Sequence, residues 1–521
     1  IYVLNCEFIH NNTGIQLESN SHAVNNYFQY SDGSGYAISG GKYFSNNYIN
    51  TITGYGINTH ANATVIDNEI SNVTSCGIDA TGDAEILRNT ITDCGSYGIN
   101  GGMIVNENTV TDCGSYGIEC SWEASVTNNT IEDNTGYALK GGLFIDNNTI
   151  ISNDGGAIES SNEATITNNT IHDNNCRIIL KGAIIENNDI VNNSKYGSYC
   201  SIESDYIKRF VNNNIVSNSD NNNSGSDRRF INFPSCDTLL FKDNYIFDTY
   251  NRHGNVMYFK GNSIQIESNI VDSTDSDYPV LWIDADDENC SIIDNQFTKS
   301  TSYDTYGGAI YIYDAVNLYI NNNTISYNYN ASSDHKGAGI YQNNGFVDII
   351  SNTLTFNEAR YGSAIWLNNA NKVKIEENII TQNTGEYAIW GDPLTLTENN
   401  LFYNYYYASE DTTLLNLRYT GTNQESFIYN FWGTRSDQGF VDPSIYDDNE
   451  NPSVGMILYQ PILSAPSSLT PGQLSDIDSV FVTINANELI TNTAGAADGQ
   501  TVYLCLVGED GNEFSLDLTE V

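Results

Sequence analysis

The chain has 521 residues, 40% of them hydrophobic, which is enough to bury a large core, and 65 acidic against 20 basic residues give a net charge of −45. That balance argues against a nucleic-acid partner, which needs clustered Lys and Arg to neutralise phosphates, and it disfavours an anionic membrane surface. The 42 Gly and 36 Tyr beside only 8 Pro point to a turn-rich, all-β chain, and no apolar run is long enough to span a membrane.

The first eight residues, Ile1 to Phe8, already read as a strand, as expected of a processed protein or a piece of a larger one. From there an Asn-x-Ile unit recurs, with Asn at 26, 47, 68, 89, 108, 129, 148, 169 and 188, at intervals of 21 or 19 residues. The 19-residue intervals coincide with short corners at Gly101-Gly102, Gly141-Gly142 and Lys181-Gly182. Each repeat carries a second apolar strand after a Gly-rich corner, as at Ile57, Ile99 and Ile118, and a third before the Asn pair, as in ATVIDN and ATITNN. Three short alternating strands per repeat make one coil of a parallel β-helix, and a coil buries its apolar face only by stacking on its neighbours. About 18 coils make a rod of about 80–90 Å, right-handed by the crossover preference of parallel strands. The Asn is expected at the corner because it tolerates left-handed backbone, and its amide is expected to form a ladder from coil to coil.

The regular coils cover residues 1–190. Over 191–460 the unit continues less evenly, and the added residues, such as 218–229, 247–255, 272–279, 284–289 and 327–337, are expected to form loops. Residues 461–473 contain Pro461, Pro466 and Pro471 and read as a linker. Residues 474–521 alternate like the start of an immunoglobulin-like β-sandwich module, at about half the length such a domain needs. Cys94 and Cys113 share the string TDCGSYGI and so one position on neighbouring coils. That position suits a ladder of small buried thiols, and stacked neighbours are also near enough in principle for a disulfide.

The repeats NNTI and YGI resemble the parallel β-helix (pectate-lyase-like) superfamily, which includes pectin-degrading enzymes, phage tailspikes and surface adhesins. The stretch Asn430-Phe431-Trp432-Gly433 with Asp442-Pro443 is similar to adhesin-like surface proteins of methanogenic archaea. This resemblance implies an extracellular or cell-surface protein. Against the enzymes of the superfamily, the chain lacks a Gly-His-Gly and an Arg-Ile-Lys motif. Its acidic pairs Asp286-Asp287 and Asp447-Asp448 and its lone Asp334-His335 pair form no coherent catalytic set.

A binding surface reads more clearly. The residue after each inward apolar position faces outward. It is Asn58, Asp79, Asn100, Glu119, Lys140 and Glu159 in the first half, then Tyr258, Trp282, Tyr311, Tyr341, Trp366 and Trp390 in the second. Such an aromatic row suits sugar rings or a partner-cell surface protein, unless the long loops fold over it. Calcium is a second expectation, from the carboxylates of Asp272, Asp275, Asp277, Asp284, Asp286 and Asp287. Among the Asn-x-Ser/Thr sites, Asn62, Asn222 and Asn330 fall in or near loops and are the better glycosylation sites. The expected function is that of an adhesin-like binder. A polysaccharide-active enzyme and a viral tail fibre or spike are the alternatives on the same fold.

Overall fold

The computed structural model describes residues 1–10, 14–175, 177–193, 201–220, 228–251, 254–287, 289–304, 306–332, 334–368, 372–405, 415–432, 441, 444–447, 449–459, 502–507 and 513–518. All its named elements are strands, and every pairing among them is parallel except one. That exception is Val502–Val507 against Glu513–Leu518, an antiparallel pair. The 461–473 linker and the rest of the module expected beyond it lie outside the described residues.

One coil illustrates how the sequence makes the solenoid. Ile158 lies inward on the strand Gly156–Glu159, Ile166 on Thr165–Thr167 and Ile171 on Thr170–His172, and all three are fully buried. Each pairs in register with its equivalent one coil on, Ile179, Ile185 and Ile190. The apolar residue therefore recurs at the same place in every coil and the core is continuous from end to end. Where the coils begin to lengthen, Phe210, Phe233, Phe241 and Phe259 fill the core, with Phe210 stacked on Phe241 at 5.1 Å and Phe233 on Phe259 at 5.4 Å. Trp432 is buried near the other end.

The Asn residues form the expected ladder, running from Asn26 through Asn188 and on through Asn213, Asn244, Asn269, Asn295, Asn323, Asn352, Asn378 and Asn399 to Asn430. At each rung Nδ2 donates to the Oδ1 of the next Asn, while that oxygen also accepts the backbone N–H. For Asn148 on Asn169 the two distances are 3.0 and 2.9 Å. Nδ2 also reaches carbonyls of its own and the preceding coil, as Asn169 does at Thr167 (2.8 Å) and Ile145 (3.1 Å). The ladder thus satisfies backbone groups that a corner takes out of the strand pattern.

The left-handed residue, however, is the one before the ladder Asn. Asp67, Arg88, Glu107, Asn128, Asn147 and Asn168 all have φ between 51° and 57°. The buried Asn is thus selected for its amide, and its exposed neighbour for the turn. A second ladder, not anticipated from the sequence, stands five residues further on. It comprises Asn134, Asn153, Asn174, Asn193 and Asn218, and later Asn328, Asn357, Asn383 and Asn404, whose Nδ2 donates onward to the Oδ1 of Asn416, outside the column. Cys94 and Cys113 occupy this column in earlier coils, buried and unpaired, as a small-thiol ladder requires.

The short corners need glycine: Gly101 has φ 97°, and a Cβ there would stand 1.8 Å from the carbonyl oxygen of Ala80. The lengthened coils differ from expectation, because their extra residues are not only loops. Ser219–Asp220, Tyr250–Asn251, Asp275–Ser276, Thr301–Ser302, Tyr329–Asn330, Glu358–Tyr361 and Thr384–Glu386 stack as a fourth parallel sheet.

Replacing Asn169 by Ala strands several buried N–H and C=O groups and is expected to cost on the order of 3 kcal/mol. Asn168→Gly, at the exposed left-handed neighbour, is expected to change stability by about 0.5 kcal/mol or less. Urea unfolding followed by circular dichroism measures both, and similar costs would contradict the division of labour within the pair.

Candidate functional site

The outward row of the strands that follow the Gly-rich corners, such as Gly156–Glu159, is one continuous column. Asn58, Asp79, Asn100, Glu119, Lys140, Glu159, Leu180, Glu203, Asn232 and Tyr258 are successive register partners. Tyr258, Trp282, Tyr311, Tyr341, Trp366 and Trp390 continue it, and Arg418 and Tyr446 follow. The aromatic rings touch in series, with centroids 6.1, 4.5, 5.2, 6.3 and 5.1 Å apart. In-register parallel strands set this closeness, since adjacent strands lie ~4.8 Å apart.

The row is not evenly open. Tyr258, Trp282, Trp366 and Trp390 are half-buried, whereas Tyr311 and Tyr341 are only 5% and 2% exposed. The sequence leaves open whether loops cover the row; in the structure it has two open ends and a covered middle. The cover comes from rings that sequence alignment of the row did not pick out. Tyr306 lies 6.2 Å from Tyr311 and edge-on to Tyr341 at 5.6 Å, and is itself 45% exposed. Tyr361 stands edge-on to Trp390 at 5.1 Å and Tyr387 at 6.2 Å, while Tyr313 stacks on Trp282 at 5.5 Å. Gly362 permits this closeness: its φ is 54°, and a Cβ there would lie 3.1 Å from the Trp390 Cβ. The strings YGGAIY, KGAGIY and YGSAIW hold the missed signal, an aromatic or Lys before the glycine of each such coil.

Cations cap the rings. The Arg229 guanidinium lies 3.3 Å from the Tyr258 ring centroid, and that of Arg418 lies 3.9 Å from Trp390 and 4.5 Å from Tyr446. Lys336 sits over Trp366 at 5.0 Å. A guanidinium stacked on a ring keeps its N–H edge available for hydrogen bonds. The site is thus a trough of π-faces bordered by donors, able to hold flat apolar faces that carry hydroxyl groups.

The acidic residues do not assemble as expected. Among the described residues no three Asp, Glu, His or Cys side chains come close enough to hold a metal ion. Asp275 and Asp277 belong to the fourth-sheet side, where Asp272 bonds Thr298 at 3.0 Å. Asp284 instead pairs with Lys260 at 2.5 Å, on the side of Asp286 and Asp287. Among the described residues these carboxylates split between two corners of the coil and do not converge on one point.

Asp447 spends its carboxylate on the backbone N–H groups of Asn449 and Ile457, both at 3.0 Å, while Asp448 lies outside the described residues. His335 Nδ1 is held at the carbonyl of Asn330, 2.5 Å away. Of the glycosylation sites, Asn62 is exposed in a left-handed turn and Asn222 lies outside the described residues. Asn330 is corrected: it is fully buried in the fourth sheet, with Nδ2 on the carbonyls of Gly307 and Lys336, which leaves no room for a glycan.

Burial pushes the phenol of Tyr341 up to about 12, that of Tyr387 to about 12, and that of Tyr311 further in the same direction. An unfolded Tyr titrates near ~10. The folded values are raised, so this contribution to stability is complete below pH ~10 and is lost as pH climbs toward 12. Phenolate absorbance is expected to show a late class of tyrosines whose ionisation accompanies alkaline unfolding. Tyr341→Phe should shrink that class, and ionisation of all tyrosines near pH 10 with the fold intact would contradict the buried placement.

A family model described as a right-handed beta helix region matches residues 1–141 and 229–404, and so takes in the whole aromatic row. No curated protein and no solved structure matches the chain. With more than half of its residues matched and a long parallel sheet wound into stacked coils, the chain belongs to the right-handed β-helix family.

Proposed function

We infer that this is an adhesin-like protein of the cell surface or extracellular space, which binds a glycan through the open ends of the aromatic row. The observation that carries this reading is the change of the outward column from polar to aromatic between Asn232 and Tyr258. Nothing in the core requires that change, since Met257, Leu281, Ile310, Ile340, Ile365 and Ile389 fill the inward positions on either side. Rigid rings bury a large area at low entropic cost and stack on the apolar faces of sugars. A partner-cell surface protein remains the other occupant that such a row suits, and the test separates the two. The fold by itself hosts binders, enzymes and spikes, so the function rests on the site.

The row's covered middle decides which variants are informative. Tyr341→Ala would remove a core ring and report on stability, whereas Trp282, Trp366 and Trp390 are half-buried and can be changed with less damage. In a screen of immobilised polysaccharides and cell walls, the wild-type chain is expected to be retained without releasing sugar products. The Trp366→Ala, Trp390→Ala variant is expected to bind at least about tenfold more weakly, equivalent to about 1.4 kcal/mol. Release of products that survives both substitutions would replace this reading by a polysaccharide-active enzyme.

A further inference from the structure

We propose that the regular coils carry a second length of the binding track, and that the ligand is an uncharged linear polysaccharide lying along the helix axis. The inference rests on the glycan reading above and extends it to the earlier stretch of the same outward column, which carries no part of the aromatic row.

In the regular coils the outward column is a line of hydrogen-bonding groups held by one another. Asp79 accepts from Asn58 and from Asn100, both at 2.8 Å, one on each carboxylate oxygen. Lys140 pairs with Glu119 at 2.8 Å and Lys181 with Glu159 at 3.6 Å. All of the column side chains from Asn58 to Glu159 are half-buried, so they are oriented yet reachable. On the side where the chain enters these strands stands a wall of tyrosines. Tyr97, Tyr116 and Tyr137 follow one another at 5.5 and 6.2 Å, and Tyr36 and Tyr55 form an earlier pair at 4.9 Å. Tyr387 borders Trp390 from the same side, three residues before it, as Tyr97 precedes Asn100. The fourth sheet begins only at Ser219–Asp220, so it does not border this half of the column.

Three physical features define the ligand. Ring faces beside carboxamides and carboxylates match a sugar, with its apolar face on Tyr and its vicinal hydroxyls on the paired oxygens. Coils repeat every ~4.8 Å, close to the length of one sugar residue in an extended chain, so a linear polymer along the axis presents one sugar to each coil. The charge rules out a polyanion on this half: Asp79, Glu119, Glu159 and Glu203 share the column with Lys140 alone, on a chain of net charge −45.

The test measures binding of the full chain to β-glucan, xylan, mannan and galactan, each as a six-residue and a twelve-residue oligosaccharide, with polygalacturonate as the anionic probe. One uncharged series is expected to bind, the longer member at least tenfold more tightly. The Tyr97→Ala, Tyr116→Ala, Tyr137→Ala variant should bring the long oligosaccharide down to the affinity of the short one and leave the short one unchanged. Should that variant fold poorly, Glu119→Ala, Lys140→Ala makes the same comparison on the surface pair. Trp366→Ala, Trp390→Ala should weaken both lengths. Equal affinity for both lengths, with the Tyr and Glu119/Lys140 variants silent, overturns the second track and leaves the aromatic row standing. Tightest binding to polygalacturonate overturns the uncharged class. Binding to no glycan overturns both this inference and the glycan reading on which it rests.

Discussion

Everything in this molecule depends on a buried amide that hydrogen-bonds to its copy in the next coil. A solenoid with three-residue strands has a corner every few residues, and each corner takes backbone N–H and C=O groups out of the sheet. Left unpaired in the interior, each such group would cost about as much as a lost hydrogen bond. The Asn side chain supplies a donor and an acceptor at one spot. When it stacks in register it closes the corner of its own coil and that of its neighbour at once, as Asn148 and Asn169 do. Two such ladders leave the outward residues of the strands free of structural duty, and the outward column can therefore vary from Asp and Asn to Tyr and Trp without disturbing the core.

The same register explains the site. In a sheet of parallel strands a residue type placed at one position in successive coils becomes a column by geometry alone. The aromatic row and the polar row are two stretches of one column, and the tyrosine walls beside them arise in the same way. The cation–π caps at Tyr258 and Trp390 mark the limits of the aromatic stretch. Near the middle of the stretch the coils have lengthened enough for Tyr306 to bend over the row. What makes the coils large enough to form a fourth sheet also buries Tyr311 and Tyr341.

Much of this was legible in the sequence. The recurrence of Asn and Ile gave the coil, the stacking and the register that aligns Trp282 with Tyr311 and Trp366 with Trp390. The second ladder was equally visible as an Asn five residues after the first, as in NNTIEDN and NNTIISN, but it begins only at Asn134, where Ile52, Val73, Cys94 and Cys113 hold the column earlier. The left-handed position was assigned to the wrong member of each pair because both are often Asn; coils with Asp67, Arg88 or Glu107 in the first place identify it. The fourth sheet left no pattern, since strands of two to four residues are too short to show an alternation. Exposure was out of reach for a different reason. Whether Tyr341 meets solvent depends on a tyrosine from a loop whose path no local rule fixes, and the burial of Asn330 depends on the sheet that the sequence did not disclose.

The central claim, that the aromatic row is the ligand surface, has a built-in reporter: Trp282, Trp366 and Trp390 are three of the five tryptophans, and Trp432 is buried. Trp122, exposed beneath Lys181 and off the row, is removed by Trp122→Phe so that its emission does not enter. The most direct measurement is the intrinsic tryptophan emission of the full chain titrated with a polysaccharide that retains it. The account predicts a saturable shift that disappears when Trp366 and Trp390 are replaced. Retention of the protein at saturating polysaccharide with its emission unchanged would place the ligand elsewhere on the solenoid and contradict the account.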